Sequence, residues 1–161
     1  MREKWIVEAK KGDFNGLSAK LKVSPLAVRC LMNRGVESEQ EMQEFLYGTL
    51  DDLHDPFLMK GMDEAVREIV KAREQGRKVA IASDFDCDGI FSAYILWKGF
   101  QKIGLDSEIF TPDRVKEGYG LNRRIVDEAL AGGRDFLVTC DNGIAANEEV
   151  DYAKKLGMTV I

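Results

Sequence analysis

Apolar residues recur along this chain in two rhythms, and the change falls near Lys78. Between Lys60 and Gly76 the residues Met62, Ala65, Val66, Ile69 and Val70 fall at i, i+3, i+4, i+7 and i+8. That spacing predicts an amphipathic helix with Gly76 as its stop. Upstream, Ser24 to Met32 and Glu39 to Tyr47 read as two shorter helices, with Asn33-Arg34-Gly35 as the turn between them. Leu53-His54-Asp55-Pro56 reads as a connector, because the residue before a proline is pushed out of helical geometry. The expectation is a small helical subdomain over residues 1–59, followed by a second domain over 60–161.

Beyond Lys78 short apolar runs alternate with longer helical patterns. Val79 to Ser83 is the first run, and an almost all-round apolar helix from Ile90 to Ile103 follows it. Glu108 to Thr111 precedes a helix centred on Ile125, Val126, Ala129 and Leu130. Asp135 to Thr139 precedes a helix through Val150, Ala153 and Leu156, and a fourth run begins at Met158. Strand and helix in strict alternation predict an α/β fold, a parallel sheet with right-handed crossovers and flanking helices. The all-round apolar helix predicts a second layer over it, for which the N-terminal helices are the candidates. In such sheets chemistry lies beyond the carboxyl ends of the strands. The chain is therefore expected to stop where its fourth catalytic loop would begin.

Composition changes this picture little: 45% hydrophobic and 32% charged residues suit a water-soluble domain. No apolar run approaches the roughly 18 residues of a membrane span, and the opening Met-Arg-Glu-Lys-Trp does not read as a secretory signal. Cys30, Cys87 and Cys140 form no CxxC pair, which argues against a zinc knot or disulfide scaffold and fits a reducing cytoplasm. The net charge of −5 restricts any nucleic-acid contact to a local patch. Before residue 35 the chain carries Arg2, Lys4, Lys10, Lys11, Lys20, Lys22, Arg29 and Arg34 against three acids, and an acidic stretch follows. Two differently solvated faces account for that shift.

The first strand runs into Ser83-Asp84-Phe85-Asp86-Cys87-Asp88-Gly89. Three carboxylates at alternating positions repel one another unless a cation compensates, and hard oxygen ligands suit Mg²⁺, Mn²⁺ or Ca²⁺. The bland alternative is a solvated acidic turn. An EF-hand is excluded, because its twelfth position, counted from Asp84, is Ile95 and a strand precedes the loop. A haloacid-dehalogenase-type phosphatase, with the first aspartate as nucleophile, stays open. The third strand ends in Thr139-Cys140-Asp141-Asn142-Gly143-Ile144, which places a fourth carboxylate, Asp141, at the same end of the sheet. Two metals about 3.5–4 Å apart, bridged by such a carboxylate, activate water and clamp a phosphodiester oxygen. The second strand leads into Pro112 to Arg124, where glycines permit close backbone approach. There Arg114 and Lys116 are candidate phosphate contacts, the helix start near Asn122 favours an anion, and Tyr119 is a stacking surface or a crevice wall.

Together these segments resemble the RecJ family of the DHH phosphoesterase superfamily. The family's DYDxDG motif is matched by Asp84 to Gly89, its PxRxxEGYGL stretch by Pro112 to Leu121, and its TVDxGI motif by Thr139 to Ile144. An upstream pattern is matched by Arg34-Gly35, Phe45-Leu46 and Asp55 to Ala65, so the resemblance runs from about residue 25 to 161. It implies a 5′→3′ exonuclease of recombination and repair that acts on single-stranded DNA. It implies Asp86, Asp88 and Asp141 as metal ligands, with Asp84 a ligand or an orienting group, all four being catalytic. It implies Mn²⁺ or Mg²⁺ as cofactor, and substrate contacts at Arg114, Lys116, Gly118, Tyr119, Gly120 and Arg123. The implied partners are single-stranded DNA, a single-strand-binding protein and a helicase.

Phe85 stands where the family usually has tyrosine, Ser83 where it has glycine, and Asp113 where it has asparagine. The larger departure is the lack of the DHH motif after the fourth strand, and His54, the sole histidine, reads as structural. The chain is accordingly expected to be an N-terminal piece that alone binds Mn²⁺ weakly and does not hydrolyse DNA. A DHH enzyme acting on oligonucleotides or cyclic dinucleotides, and a catalytically silent replication or repair scaffold, are the alternatives.

Overall fold

The computed structural model describes residues 3–6 and 10–161. Arg2, counted above in the basic stretch, and part of the opening segment lie outside the described residues. The chain forms two compact units, divided after Leu58.

The first unit holds three helices, α1 (Phe14–Leu21), α2 (Pro25–Asn33) and α3 (Glu39–Tyr47). Each start is fixed by a side chain. The Asp13 carboxylate accepts from the Gly16 amide, the Ser24 hydroxyl from that of Ala27, and Ser38 with Glu41 forms a reciprocal capping box. Leu21, Val28, Leu31, Met32 and Met42 are buried together, and Tyr47 closes the unit by donating its hydroxyl to the Leu21 carbonyl at 2.6 Å. Helix α1 was not among the predicted elements. Asn15, Gly16 and Ser18 are poor helix formers, and burial of Leu21 with the Asp13 cap overrides them. The predicted connector contains Leu53–Asp55, flanked by single 3-10 turns at Leu50–Asp52 and Pro56–Leu58, and His54 is exposed.

The second unit begins with α4 (Met62–Glu74) and continues through β1 (Val79–Ala82), α5 (Cys87–Lys102), β2 (Ser107–Phe110), α6 (Arg123–Ala131), β3 (Phe136–Thr139), α7 (Asn147–Lys155) and β4 (Thr159–Val160). All pairings are parallel and the strand order is β2-β1-β3-β4. The expected α/β class is therefore the observed one. Strand β1 is buried at all four positions, as a central strand covered on both faces requires. Its Ala80 and Ala82 join Ile125, Val126, Ala129 and Ala153 of α6 and α7 on one face. Val79 and Ile81 join Ala72, Ala93 and Phe100 of α4 and α5 on the other. Helix α5 starts three residues earlier than its apolar pattern indicates, because the Asp86 side chain caps it. It buries Gly89, Ala93 and Phe100, whereas Ile90, Phe91, Tyr94 and Ile95 are exposed.

The strand order decides where chemistry belongs. From β1 the chain moves to β2 on one side, then crosses to β3 on the other. The loops leaving β1 and β3 thus diverge at neighbouring carboxyl ends, which opens a crevice at the topological switch point.

Candidate active site at the switch point

Ser83 and Asp84, which follow β1, are fully buried. One Asp84 oxygen accepts from the Phe85 amide at 2.7 Å; the other is buried without a partner. A carboxylate oxygen removed from water and left unpaired costs free energy, and such groups concentrate where a ligand is to be met. Gly89 packs on this turn so closely that a Cβ would stand 2.6 Å from the Asp84 carbonyl carbon and 2.8 Å from its nitrogen. Asp86 caps α5 by accepting from the Gly89 amide at 3.0 Å. That bond, helped by the Tyr119 hydroxyl and by Asp141, holds its carboxyl below the usual range against a smaller desolvation effect. Asp88 lies exposed in the first turn of α5.

Asp141 leaves β3 in the left-handed region, at φ 57°. Aspartate is one of the few residues that tolerates this conformation, and such geometry recurs at functional sites. Desolvation raises its carboxyl, followed by the charges of Asp86 and Asp88, a hydrogen bond with Asp86 and the charge of Asp84. Asp86 and Asp141 are thus driven in opposite directions, the first chiefly by the Gly89 amide and the second chiefly by desolvation. A divalent cation among these groups would relieve the same repulsion. Oxygen-only donors with one buried, unpartnered oxygen fit Mg²⁺ or Mn²⁺ better than a softer metal. Among the described residues, no three His, Cys, Asp or Glu side chains stand as a ready-made ligand set. Both carboxamide atoms of Asn142, next to Asp141, are buried without partners.

The third wall is the loop from Pro112 to Leu121. Tyr119 sends its hydroxyl toward Asp86 Oδ2 at 3.4 Å and meets the edge of the Phe85 ring at 5.7 Å. The Arg114 guanidinium covers Phe85 at 5.2 Å. Tyr119 remains 65% exposed, which leaves a ring face open to a ligand. Its hydroxyl is raised by desolvation and by the charges of Asp86, Asp84 and Asp141. Gly118 and Gly120 flank it at φ 81° and 91°, conformations that side chains rarely adopt. Glu117 is held by Arg124 and by the Asp113 amide, and these bonds lower its carboxyl from 4.5 to about 2. Its contribution to stability is therefore complete above its ordinary pKa and is lost as pH falls from there toward about 2.

The structure thus brings Asp84, Asp86, Asp88, Asp141 and Tyr119 to one crevice, with Arg114 joined to it through Phe85. It does not bring Lys116 or Arg123 into recorded contact with the carboxylates. Lys116 is largely exposed and pairs with Asp113 at 3.8 Å. Arg123 lies 5.1 Å over the Tyr152 ring on α7. Glu117, Arg124 and Asn142 were passed over as site residues. For the first two the sequence shows an acid and a base seven positions apart across a glycine-rich turn, a spacing that does not by itself predict a contact.

Residues 78–161 match the DHH family, N-terminal domain. The chain belongs to the DHH family. Within it, the chain is homologous to the RecJ exonucleases. It is 35% identical to the single-stranded-DNA-specific exonuclease RecJ of Bacillus subtilis over 159 residues, which is 98% of this chain and 20% of that protein. The Salmonella typhimurium RecJ is 36% identical over 138 residues, 85% of this chain and 23% of that protein. A crystal structure of exonuclease RecJ bound to manganese superposes with a TM-score of 0.59 at 33% identity, covering 63% of this chain and 26% of the other. Thermus thermophilus RecJ in complex with Mn²⁺ superposes at 0.60 and 26% identity, covering 91% and 20%. This DHH chain spans about a fifth of the length of the curated relatives it matches.

Proposed function

We propose that this chain carries the aspartate-bearing part of a metal-dependent site that hydrolyses phosphodiester bonds in single-stranded DNA from the 5′ end. The observation that carries the reading is the convergence of Asp84, Asp86 and Asp88 from one strand end with Asp141 from its neighbour. Asp86, Asp88 and Asp141 would hold Mn²⁺ or Mg²⁺, and buried Asp84 would ligate or orient through its unpartnered oxygen. Such an ion supplies Lewis-acid stabilisation and an acidified water. The other residues bind and orient. Arg114 offers a fork matched to phosphate, the exposed Tyr119 ring offers a stacking face, and Gly118 and Gly120 let the strand approach the backbone. Lys116 and Arg123 would meet phosphates further along the strand, the first as a flexible cation and the second at a helix start. Homology to proteins named as single-stranded-DNA-specific exonucleases supports the substrate class.

On this reading residues 1–59 form a helical subdomain and 60–161 the N-terminal part of the DHH domain. The enzyme works in the cytoplasm, with a single-strand-binding protein and a helicase as its partners. The test is Mn²⁺ titration of the purified chain followed by electron paramagnetic resonance, beside cleavage assays on long single strands, dinucleotides and cyclic dinucleotides. Weak binding to the wild type that Asp86→Asn and Asp141→Asn each abolish is expected. Cleavage confined to dinucleotides would move the assignment to the oligonucleotide-degrading enzymes. Metal binding indifferent to both substitutions would remove the site altogether.

A further inference from the structure

We propose that Glu117 and Arg124 are positioning residues, a buckle that holds the 112–121 loop so that Tyr119 stands against the Asp86 carboxylate. The proposal rests on reading the crevice as a phosphodiester site, and its geometry is independent of that reading. Arg124, in the first turn of α6, donates from Nε and Nη2 to the two Glu117 oxygens, the second at 2.8 Å. The same Nη2 donates to the Thr111 carbonyl at 3.1 Å, and Nη1 to Glu128 at 2.6 Å. Glu117 Oε2 accepts from the Asp113 amide at 2.7 Å as well. One guanidinium therefore ties the start of the loop, its middle and the following helix together.

The sequence explains why the loop needs tying. Gly118 and Gly120 both sit at positive φ with open space around them, so nothing local stiffens the backbone on either side of Tyr119. Order must come from side chains, and Glu117 is the last anchored residue before Tyr119. The tyrosine then reaches Asp86 and Phe85, and Arg114 closes over the other ring. The pair stabilises chiefly its own loop, because every bond of the network joins residues between Thr111 and Glu128. Its effect is expected in loop order and ligand placement. A bidentate fork is required, so lysine is no substitute for Arg124 despite its charge.

The test compares the wild-type chain with Glu117→Gln and Arg124→Lys by three readouts. These are nuclear Overhauser contacts between the Tyr119 and Phe85 rings, amide exchange across residues 113–121, and affinity for a 5′-phosphorylated single-stranded oligonucleotide. In both variants the ring contact is expected to vanish and exchange in the loop to quicken at least about tenfold. The melting temperature should stay within a few degrees of wild type, and oligonucleotide affinity should fall about tenfold. An intact ring contact with unchanged exchange in either variant overturns the proposal. So does faster exchange throughout the unit with a large drop in melting temperature, which marks a general structural role. If the wild-type chain binds no oligonucleotide, the functional reading suffers while the ring contact and exchange still decide the positioning claim.

Discussion

The two ends of the parallel sheet are built on opposite terms. At the amino end Arg77 gives Nε to Asp135 Oδ1 at 3.0 Å, Nη1 to Thr159 Oγ1 at 3.1 Å and Nη2 to the Asp135 carbonyl at 3.0 Å. Its guanidinium also lies 5.0 Å over the Phe136 ring. That end ties the entries of β1, β3 and β4 through one fully engaged guanidinium, although Ser107 Oγ and Arg134 Nε nearby are buried without partners. At the carboxyl end Asp84 and Asn142 keep buried atoms without partners, and like charges gather around Asp141. The difference lies in charge: one cation links the strands at the amino end, and carboxylates face one another at the carboxyl end. Clustered like charges of this kind carry a cost in stability that is accepted in many proteins for the sake of function.

Substitutions at each end can break or sharpen this contrast. Gly89→Ala should have the largest effect, because its Cβ would strike the Asp84 backbone rather than a pliable side chain. A loss of about 3 kcal/mol in urea unfolding is expected, together with loss of Mn²⁺ binding; tolerance of alanine would mean that the turn is softer than its packing indicates. Arg77→Met comes next. It removes three hydrogen bonds from one charged group, and about 2 kcal/mol of stability should go with them. Mn²⁺ affinity should not change, and a change would show that the two ends are coupled. Asp84→Asn is the smallest and the most telling. Replacing a buried, half-paired carboxylate by a neutral group should raise stability by about 1 kcal/mol while weakening Mn²⁺ binding. Lower stability would place Asp84 among the structural residues.

Much of the architecture is legible in the sequence. The buried run from Val79 and the alternation that follows it specify a parallel sheet, because only strands covered on both faces read as continuous apolar segments. Helix α1 was illegible: Asn15, Gly16 and Ser18 mask a helix that burial supports. The start of α5 was misjudged because a side-chain cap, rather than apolar spacing, sets it. At the site the residue types were visible in sequence, whereas their relations were not. Nothing in Asp141 itself announces its left-handed backbone or its approach to Asp86. The Glu117–Arg124 bond spans a turn whose course is set by two glycines at positive φ, so spacing alone does not reveal it.

The central pairing of the sheet also carries a consequence for the order of folding. Register joins Val79 to Phe136 and Ala82 to Thr139, with α5, β2 and α6 all lying between the two strands in sequence. Long-range parallel pairing closes a large loop before its contacts reward it, and this slows the step relative to the formation of local helices. A molecule that has formed β1, α5 and β2 already displays Asp84, Asp86 and Asp88, but has no Asp141 beside them. The pairing that sets Asp141 beside Asp84, Asp86 and Asp88 is therefore expected to form later than the local helices.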